Sequence, residues 1–226
     1  MKPLVIIPAR GGSKGIPKKN VRLLAGKPLL HYTIEVALGL FNAADICIST
    51  DNEEIKAVAE QLNISVPFLR PENLATDTAG TRDVLLHALD FFKEREYDTI
   101  VLLQPTSPFK TSKHIKEALQ LFNLDIDMVV SVYESDLNPY YNLFEEKGNG
   151  FLQQSKPSQI TRRQDCPKVY AYNGAVYIIN IASLQQQPIN EFGKIIKYTM
   201  DKKSSLDIDT MEDWQLAEFY INQQQK

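Results

Sequence analysis

Apolar residues fall into two rhythms along this chain. Short unbroken runs rich in β-branched residues, at 4–7, 46–49, 99–103 and 128–133, predict strands buried on both faces. Between them lie stretches whose apolar positions recur three and four apart. These predict helices over 29–40 (Leu30, Ile34, Ala37, Leu38), through Leu62, over 81–93 (Val84, Leu85, Ala88, Leu89) and over 112–122. Asp51 with Glu54 three residues on has the form of a capping box opening the second of these helices. A brief run at 66–69 reads as a third strand. Strand and helix alternating over short connections predict a mostly parallel sheet with helices on both faces. Ligands bind such sheets beyond the carboxyl ends of the strands, so the loops beginning at Arg10, Asp51, Arg70 and Gln104 are expected to share one rim.

The pattern changes after Glu134. Short strand-like runs at 140–144, 151–153 and 169–172 are separated by turn residues such as Gly148-Asn149-Gly150, and 175–181 returns to a buried strand. Thr210 is placed to cap a last helix through Tyr220, with Trp214, Ala217 and Ile221 on one face. The expectation is one α/β domain over residues 1–226, carrying an inserted arm at about 134–168.

Composition changes this picture little. At 43% hydrophobic and 23% charged residues, the 226-residue chain is an ordinary globular protein with enough length for a full core. The formal net charge of −3 argues against a broad grip on nucleic acid, so an anionic ligand needs a local cluster of cations. Cys47 and Cys166 have no metal-ligand spacing, and Cys47, between Ile46 and Ile48, reads as a buried inert thiol. The apolar run before Pro8 is too short for a signal peptide or membrane span, from which a cytoplasmic location is expected.

That cation cluster follows the first strand directly. Arg10-Gly11-Gly12-Ser13-Lys14-Gly15-Ile16-Pro17-Lys18-Lys19-Asn20 combines three glycines, which let backbone amides approach a bulky anion, with four positive charges. A polyphosphate, whose charge is spread over many oxygens, calls for both features, whereas a solvated basic turn calls for neither. The segment is neither a Walker A loop nor GxGxxG. A second signal is Leu206-Asp207-Ile208-Asp209-Thr210. In extended backbone its two carboxylates share one face, which suits magnesium bound jointly by protein and phosphates, or else Asp209 helps cap the last helix. Gln104-Pro105-Thr106-Ser107-Pro108, at a strand end, is either a poised rim or a plain proline turn. Arg163 in Thr161-Arg162-Arg163-Gln164 offers a two-point contact for a carboxylate, or belongs to a surface charge pair. His31, His87 and His114 fall in predicted helices without mutual spacing and read as structural.

Taken together, Ile7-Pro8-Ala9-Arg10-Gly11-Gly12-Ser13-Lys14-Gly15-Ile16-Pro17 with Lys19-Asn20 resembles the signature of the acylneuraminate cytidylyltransferases, the CMP-sialic acid synthetases. Ser49-Thr50-Asp51, Arg70-Pro71, Gln104-Pro105-Thr106-Ser107-Pro108, Arg163-Gln164, Asn173-Gly174-Ala175-Val176-Tyr177 and Asp207-Ile208-Asp209 follow in that family's order, nearly end to end. The resemblance implies a Rossmann-like, GT-A-like nucleotidyltransferase fold and a homodimer whose arm reaches the partner's active site. It implies that Arg10, Gly11, Gly12, Ser13, Lys14, Lys19 and Asn20 hold CTP phosphates and ribose. Arg70, Ala79, Gly80 and Thr81 would line the cytidine pocket, while Gln104, Arg163 and Asn173 would meet the sugar. Asp207 and Asp209 would bind Mg2+, and Arg10, Lys19 and Asp209 would act in catalysis. Gly80-Thr81 departs from the serine pair of many relatives, which removes a hydroxyl at position 80. The implied reaction is CMP transfer from CTP to a nine-carbon acidic sugar of the sialic acid type. Pseudaminic, legionaminic or Kdo-type acceptors are alternatives, as is a non-catalytic sugar-nucleotide sensor.

Overall fold

A computed structural model describes residues 1–76 and 78–224. Its centre is a six-stranded sheet made from β1 (Pro3–Pro8), β4 (Ile46–Ser49), β5 (Thr99–Leu103), β6 (Met128–Glu134), β9 (Tyr170–Asn180) and β10 (Ile195–Thr199). The spatial order is β10-β6-β9-β5-β1-β4. β1 pairs in parallel with β4 and β5, and β10 pairs in parallel with β6. β9 runs antiparallel between β5 and β6, so the sheet is mainly parallel with one reversed strand. Two small hairpins lie outside it: β2 (Leu23–Leu24) with β3 (Lys27–Pro28), and β7 (Phe144–Glu146) with β8 (Leu152–Gln154).

The strand side chains alternate between two apolar layers, as a two-sided sheet requires. Val5, Ile7, Ile48, Val101 and Leu103 face α1 (Leu29–Leu38), α2 (Glu53–Glu60) and α4 (Ser112–Gln120). Leu4, Ile6, Cys47, Ile100 and Leu102 face α3 (Thr81–Phe91) and α5 (Ile181–Gln186). The last helix, α6 (Met211–Gln224), buries Trp214, Ala217 and Ile221 against Ile16, Leu24, Leu29 and Ile208. That small cluster ties the basic loop, the first hairpin and the acidic segment together.

Three expectations are corrected. The run at 66–69 forms no strand: Pro67 supplies no N–H to a ladder, and the segment is anchored beyond its end by Arg70 N donating to Thr50 O. The cap of α2 is Asn52, whose side chain accepts from Glu54 N and Ile55 N, and Asp51 is turned elsewhere. The two separate strands expected at 169–172 and 175–181 are one strand, β9, interrupted by a bulge opposite Ser131.

Candidate active site

The loop after β1, the segment after Thr50, the turn after β5 and the acidic segment before α6 meet at one end of the sheet. They enclose a cleft of about 520 Å³ lined by Arg10, Lys14, Lys19, Asn20, Gln104 and Asp207, among others, with Ser13, Arg70 and Asp209 also on its wall. A smaller cavity of about 200 Å³ shares Arg10, Arg70 and Gln104 with it and adds Ala79 and Thr81. A third, of about 500 Å³, begins at Gly80, Thr81 and Gln104 and extends past Tyr172, Tyr177, Ile189 and Ile195. Gln104 lines all three.

The basic loop and the acid pair are in van der Waals contact. A methyl group built on Gly15 would stand 2.2 Å from the Asp209 carbonyl oxygen, so glycine is required where the two backbones cross. Lys19, which is buried, bridges them: its Nζ donates to Ile208 O at 2.7 Å and to Asp209 Oδ1 at 2.9 Å. Asn20 Nδ2 donates to Arg10 O at 3.0 Å, which braces the loop's first turn.

Asp51 fixes the other wall. Its Oδ1 accepts from Gly11 N at 2.9 Å and lies 3.8 Å from Arg70 Nη2. Arg70 is 6% exposed, and its Nε and Nη2 have no hydrogen-bond partner among the described residues. Burial lowers its pKa and the positive charge of Arg10 adds to this, while Asp51 opposes both. Two guanidiniums held at the same cleft, one of them buried with unmatched donors, favour an anionic or strongly accepting ligand.

Asp207 is a largely buried carboxylate under opposing influences. Burial pushes its pKa up and Asp209 pushes the same way, while the Thr106 hydroxyl and the cations Lys19 and Lys110 pull it down. Its Oδ1 is buried without a hydrogen-bond partner among the described residues. An orphaned carboxylate oxygen beside a second carboxylate fits a divalent cation whose remaining ligands come from phosphates. Asp209 also belongs to the reciprocal cap of α6, where Asp213 Oδ2 accepts from the amides of Asp209 and Thr210. The helix cap therefore uses the backbone of Asp209 and leaves its carboxylate for Lys19.

The β9 bulge completes the floor. Gly174 has φ +73°, and a Cβ there would meet Asp207 Oδ2 and Gln104 Oε1 at 3.2 Å each. Asn173 does not line the cleft. Its Oδ1 accepts from Ser131 Oγ and Ala175 N and its Nδ2 donates to Ser205 Oγ, so the side chain fastens the bulge. Arg163 also lies away from the cleft, at the base of the 135–169 segment, exposed and paired with Asp136. Gly80 is the N-cap of α3 and offers no side-chain cap.

Two roles are not readable from the sequence. Asp51 is expected on this rim but as a helix cap, and its carboxylate instead fixes the Gly11 turn. Lys110 gave no local signal as a lysine after a proline turn, although its closeness in sequence to Gln104 pointed to the same rim.

A family model described as cytidylyltransferase matches residues 4–225. The chain is 38% identical over 218 residues to an N-acylneuraminate cytidylyltransferase of Streptococcus agalactiae, covering 95% of this chain and 52% of that protein. It thus spans about half the length of that relative. It is 36% identical over 222 residues to a CMP-N,N'-diacetyllegionaminic acid synthase of Legionella pneumophila, covering 96% of this chain and 95% of that one. In fold it is similar to a CMP:2-keto-3-deoxy-manno-octonic acid synthetase complexed with CTP, with TM-score 0.73 and 16% identity over 99% of this chain and 100% of the other.

Proposed function

The chain belongs to the cytidylyltransferase family, and from that premise we propose that it transfers CMP from CTP to the anomeric hydroxyl of a nine-carbon acidic sugar of the sialic acid type. The observation that carries this reading is the crossing of Gly15 against the Asp209 carbonyl, which joins a cation-rich loop and a carboxylate pair in one wall of one cleft. A triphosphate needs the first, and a divalent cation riding on it needs the second.

In this reading the acceptor's anomeric oxygen attacks the α-phosphorus of CTP, the bond from that phosphorus to the bridging oxygen of the β-phosphate breaks, pyrophosphate leaves, and the hydroxyl proton passes to solvent water. Arg10, Lys14 and Lys19, with the Gly12 amide, hold the phosphates and offset the charge that builds on the leaving group, while the Gly11 and Ser13 amides, given to Asp51 Oδ1 and Gly11 O, hold the loop's shape. Asn20 and Arg70 hold the nucleoside side, and the Arg70-to-Thr81 cavity receives the cytidine. Gln104, at the junction of the three cavities, orients the acceptor. Asp207 and Asp209 would hold Mg2+, which when bound neutralises phosphate charge. Lys19 keeps Asp209 oriented in the meantime.

The acceptor's carboxylate is assigned to Arg163 from the arm of a second copy in a homodimer. Exposed apolar residues on and beside the arm, among them Leu137, Phe144, Phe151, Leu152 and Tyr172, fit such a pairing. A cytoplasmic setting, where thiols stay reduced, fits two free cysteines.

One observation favours a narrower second reading. The third cavity is walled by Leu102, Ile179, Pro188, Ile189 and Ile195 beside two tyrosines, and suits acylamido and deoxy positions better than a run of hydroxyls. The Legionella relative, matched along nearly its whole length, is named for a diacetylated sugar of that kind. The test of both is pyrophosphate release from CTP with N-acetylneuraminic, legionaminic, pseudaminic and Kdo acceptors. Turnover with a nine-carbon acceptor supports the proposal; release with Kdo alone, or with none, refutes it.

A further inference from the structure

Between β5 and α4 the chain doubles back through Gln104-Pro105-Thr106-Ser107-Pro108-Phe109-Lys110. Lys110 is only 2% exposed, far below the usual lot of a lysine. As an ammonium its Nζ offers three donors, and it meets three acceptors: Thr33 Oγ1 on α1 at 2.8 Å, Gln104 O at 2.7 Å and Ser107 O at 2.6 Å. All three acceptors are uncharged. Burial drives the lysine's pKa down to about 7, against the pull of the nearby Asp207 charge. An aliphatic side chain would fill the same space without burying an ammonium, so the packing alone does not call for this residue.

What the ammonium holds is a turn with two working faces. On one, the Gln104 side chain looks into all three cavities. On the other, Thr106 O accepts from Ile208 N at 2.8 Å, which ties the turn to the segment that carries Asp207 and Asp209. Ser107 reaches further back, its Oγ donating to Asn173 O. We infer that Lys110 is a positioning residue: its buried ammonium, held by two carbonyls of the 104–107 turn and by Thr33, sets Gln104 toward the acceptor and Thr106 against the 207–209 segment in a single geometry. The inference deepens the transferase reading and rests on it for the meaning of Gln104 and Asp207. The pin itself is a property of the free protein.

The test uses Lys110→Met, which keeps the buried stem and removes the three donors, and Thr33→Val, which removes one acceptor and leaves the turn's carbonyls paired. A displaced turn has a large kinetic effect, since a shift of about 1 Å in positioning groups is enough for a loss on the order of 100-fold. For Lys110→Met we expect kcat to fall by about that factor and the acceptor KM to rise several-fold. The CTP KM rises less than the acceptor KM, because the direct phosphate contacts come from the 10–20 loop. Thr33→Val shows the same split at smaller size. Amide hydrogen exchange reads the pin without turnover. In either variant Ser107 and Ile208 should exchange faster, by about ten-fold for a local opening of about 1.4 kcal/mol, while the amides of β1 and β5 hold their protection. A uniform rise in exchange with a lowered Tm and unchanged kinetic constants per folded molecule would overturn the inference. So would unchanged exchange at both amides. If the unmodified protein releases no pyrophosphate with any acceptor, the transferase reading falls, and the exchange pattern still decides the pin.

Discussion

The contact between Gly15 and the Asp209 carbonyl lets one methyl group interrogate the site. In Gly15→Ala the new Cβ would sit 2.2 Å from a backbone oxygen, inside any tolerable approach, so one backbone must move by more than 1 Å to reach ordinary contact near 3.4 Å. Neither partner gives easily. The Asp209 amide is held by Asp213, the adjoining Ile208 N is tied to Thr106 O, and Ile208 itself is fully buried. Overpacking of this kind costs about 1–3 kcal/mol of stability. It also shifts either the phosphate loop or the acid pair, and a displacement near 1 Å in reacting groups lowers turnover by a factor on the order of 100. The control is Gly12→Ala, where the added methyl meets nothing within 4 Å and φ is not positive. Thermal unfolding and pyrophosphate release should be measured on both. Gly15→Ala should lose stability and kcat together, whereas Gly12→Ala should keep its Tm and change chiefly in the KM for CTP. Full activity in Gly15→Ala at wild-type Tm would show that loop and acids need not meet.

Asp207 carries a stability penalty with a definite sign. Its folded pKa is raised by burial and by Asp209, so the folded state holds its proton more tightly than the unfolded chain does. Its contribution is therefore most favourable below the unfolded value and declines as pH rises through the folded one, leaving a cost at neutral pH. Asp207→Asn should raise the Tm of the metal-free protein at pH 7 while abolishing CMP transfer; a lowered Tm would contradict the assigned burial cost. Thiol titration of the native protein should find one reactive cysteine, Cys166, because Cys47 is buried with its pKa pushed up to about 12. Two fast-reacting thiols would count against the placement of β4. Mixing Arg163→Ala with Asp209→Asn, each inactive alone, should restore part of the activity through mixed dimers in which one site is whole. Persistent inactivity in proven mixed dimers would remove Arg163 from the partner's site.

Much of this was legible because the relevant signals are local. Unbroken apolar runs mark buried strands and 3.6-residue spacing marks helices, so β1, β4, β5, β6 and four helices stand close to where periodicity predicts them. The acid pair was legible as a two-residue alternation, and the loop as glycine and cation density. The failures have physical reasons too. β10, Ile195–Thr199, is an edge strand with mostly exposed side chains and no alternation to read. The family resemblance alone cast Asn173 as a sugar contact, and the register of β9 against β6 shows where its side chain is engaged, at the bulge. Asp51 sat where a helix cap belongs, and the neighbouring Asn52 took that role. A buried ammonium such as that of Lys110 depends on acceptors 77 residues away at Thr33, which no local pattern carries.

In the proposed reaction the 10–20 loop and the 207–209 carboxylates act on one nucleotide through one divalent cation. Calorimetric titration of CTP, with saturating Mg2+ and with chelator, tests it without an acceptor. Mg2+ should tighten CTP binding by about ten-fold or more, a coupling of about 1.4 kcal/mol, and Asp207→Asn and Asp209→Asn should each erase this coupling while Arg10→Ala weakens binding in both conditions. CTP affinity that is indifferent to Mg2+ in the unmodified protein, or a metal effect that survives in both aspartate variants, would contradict it.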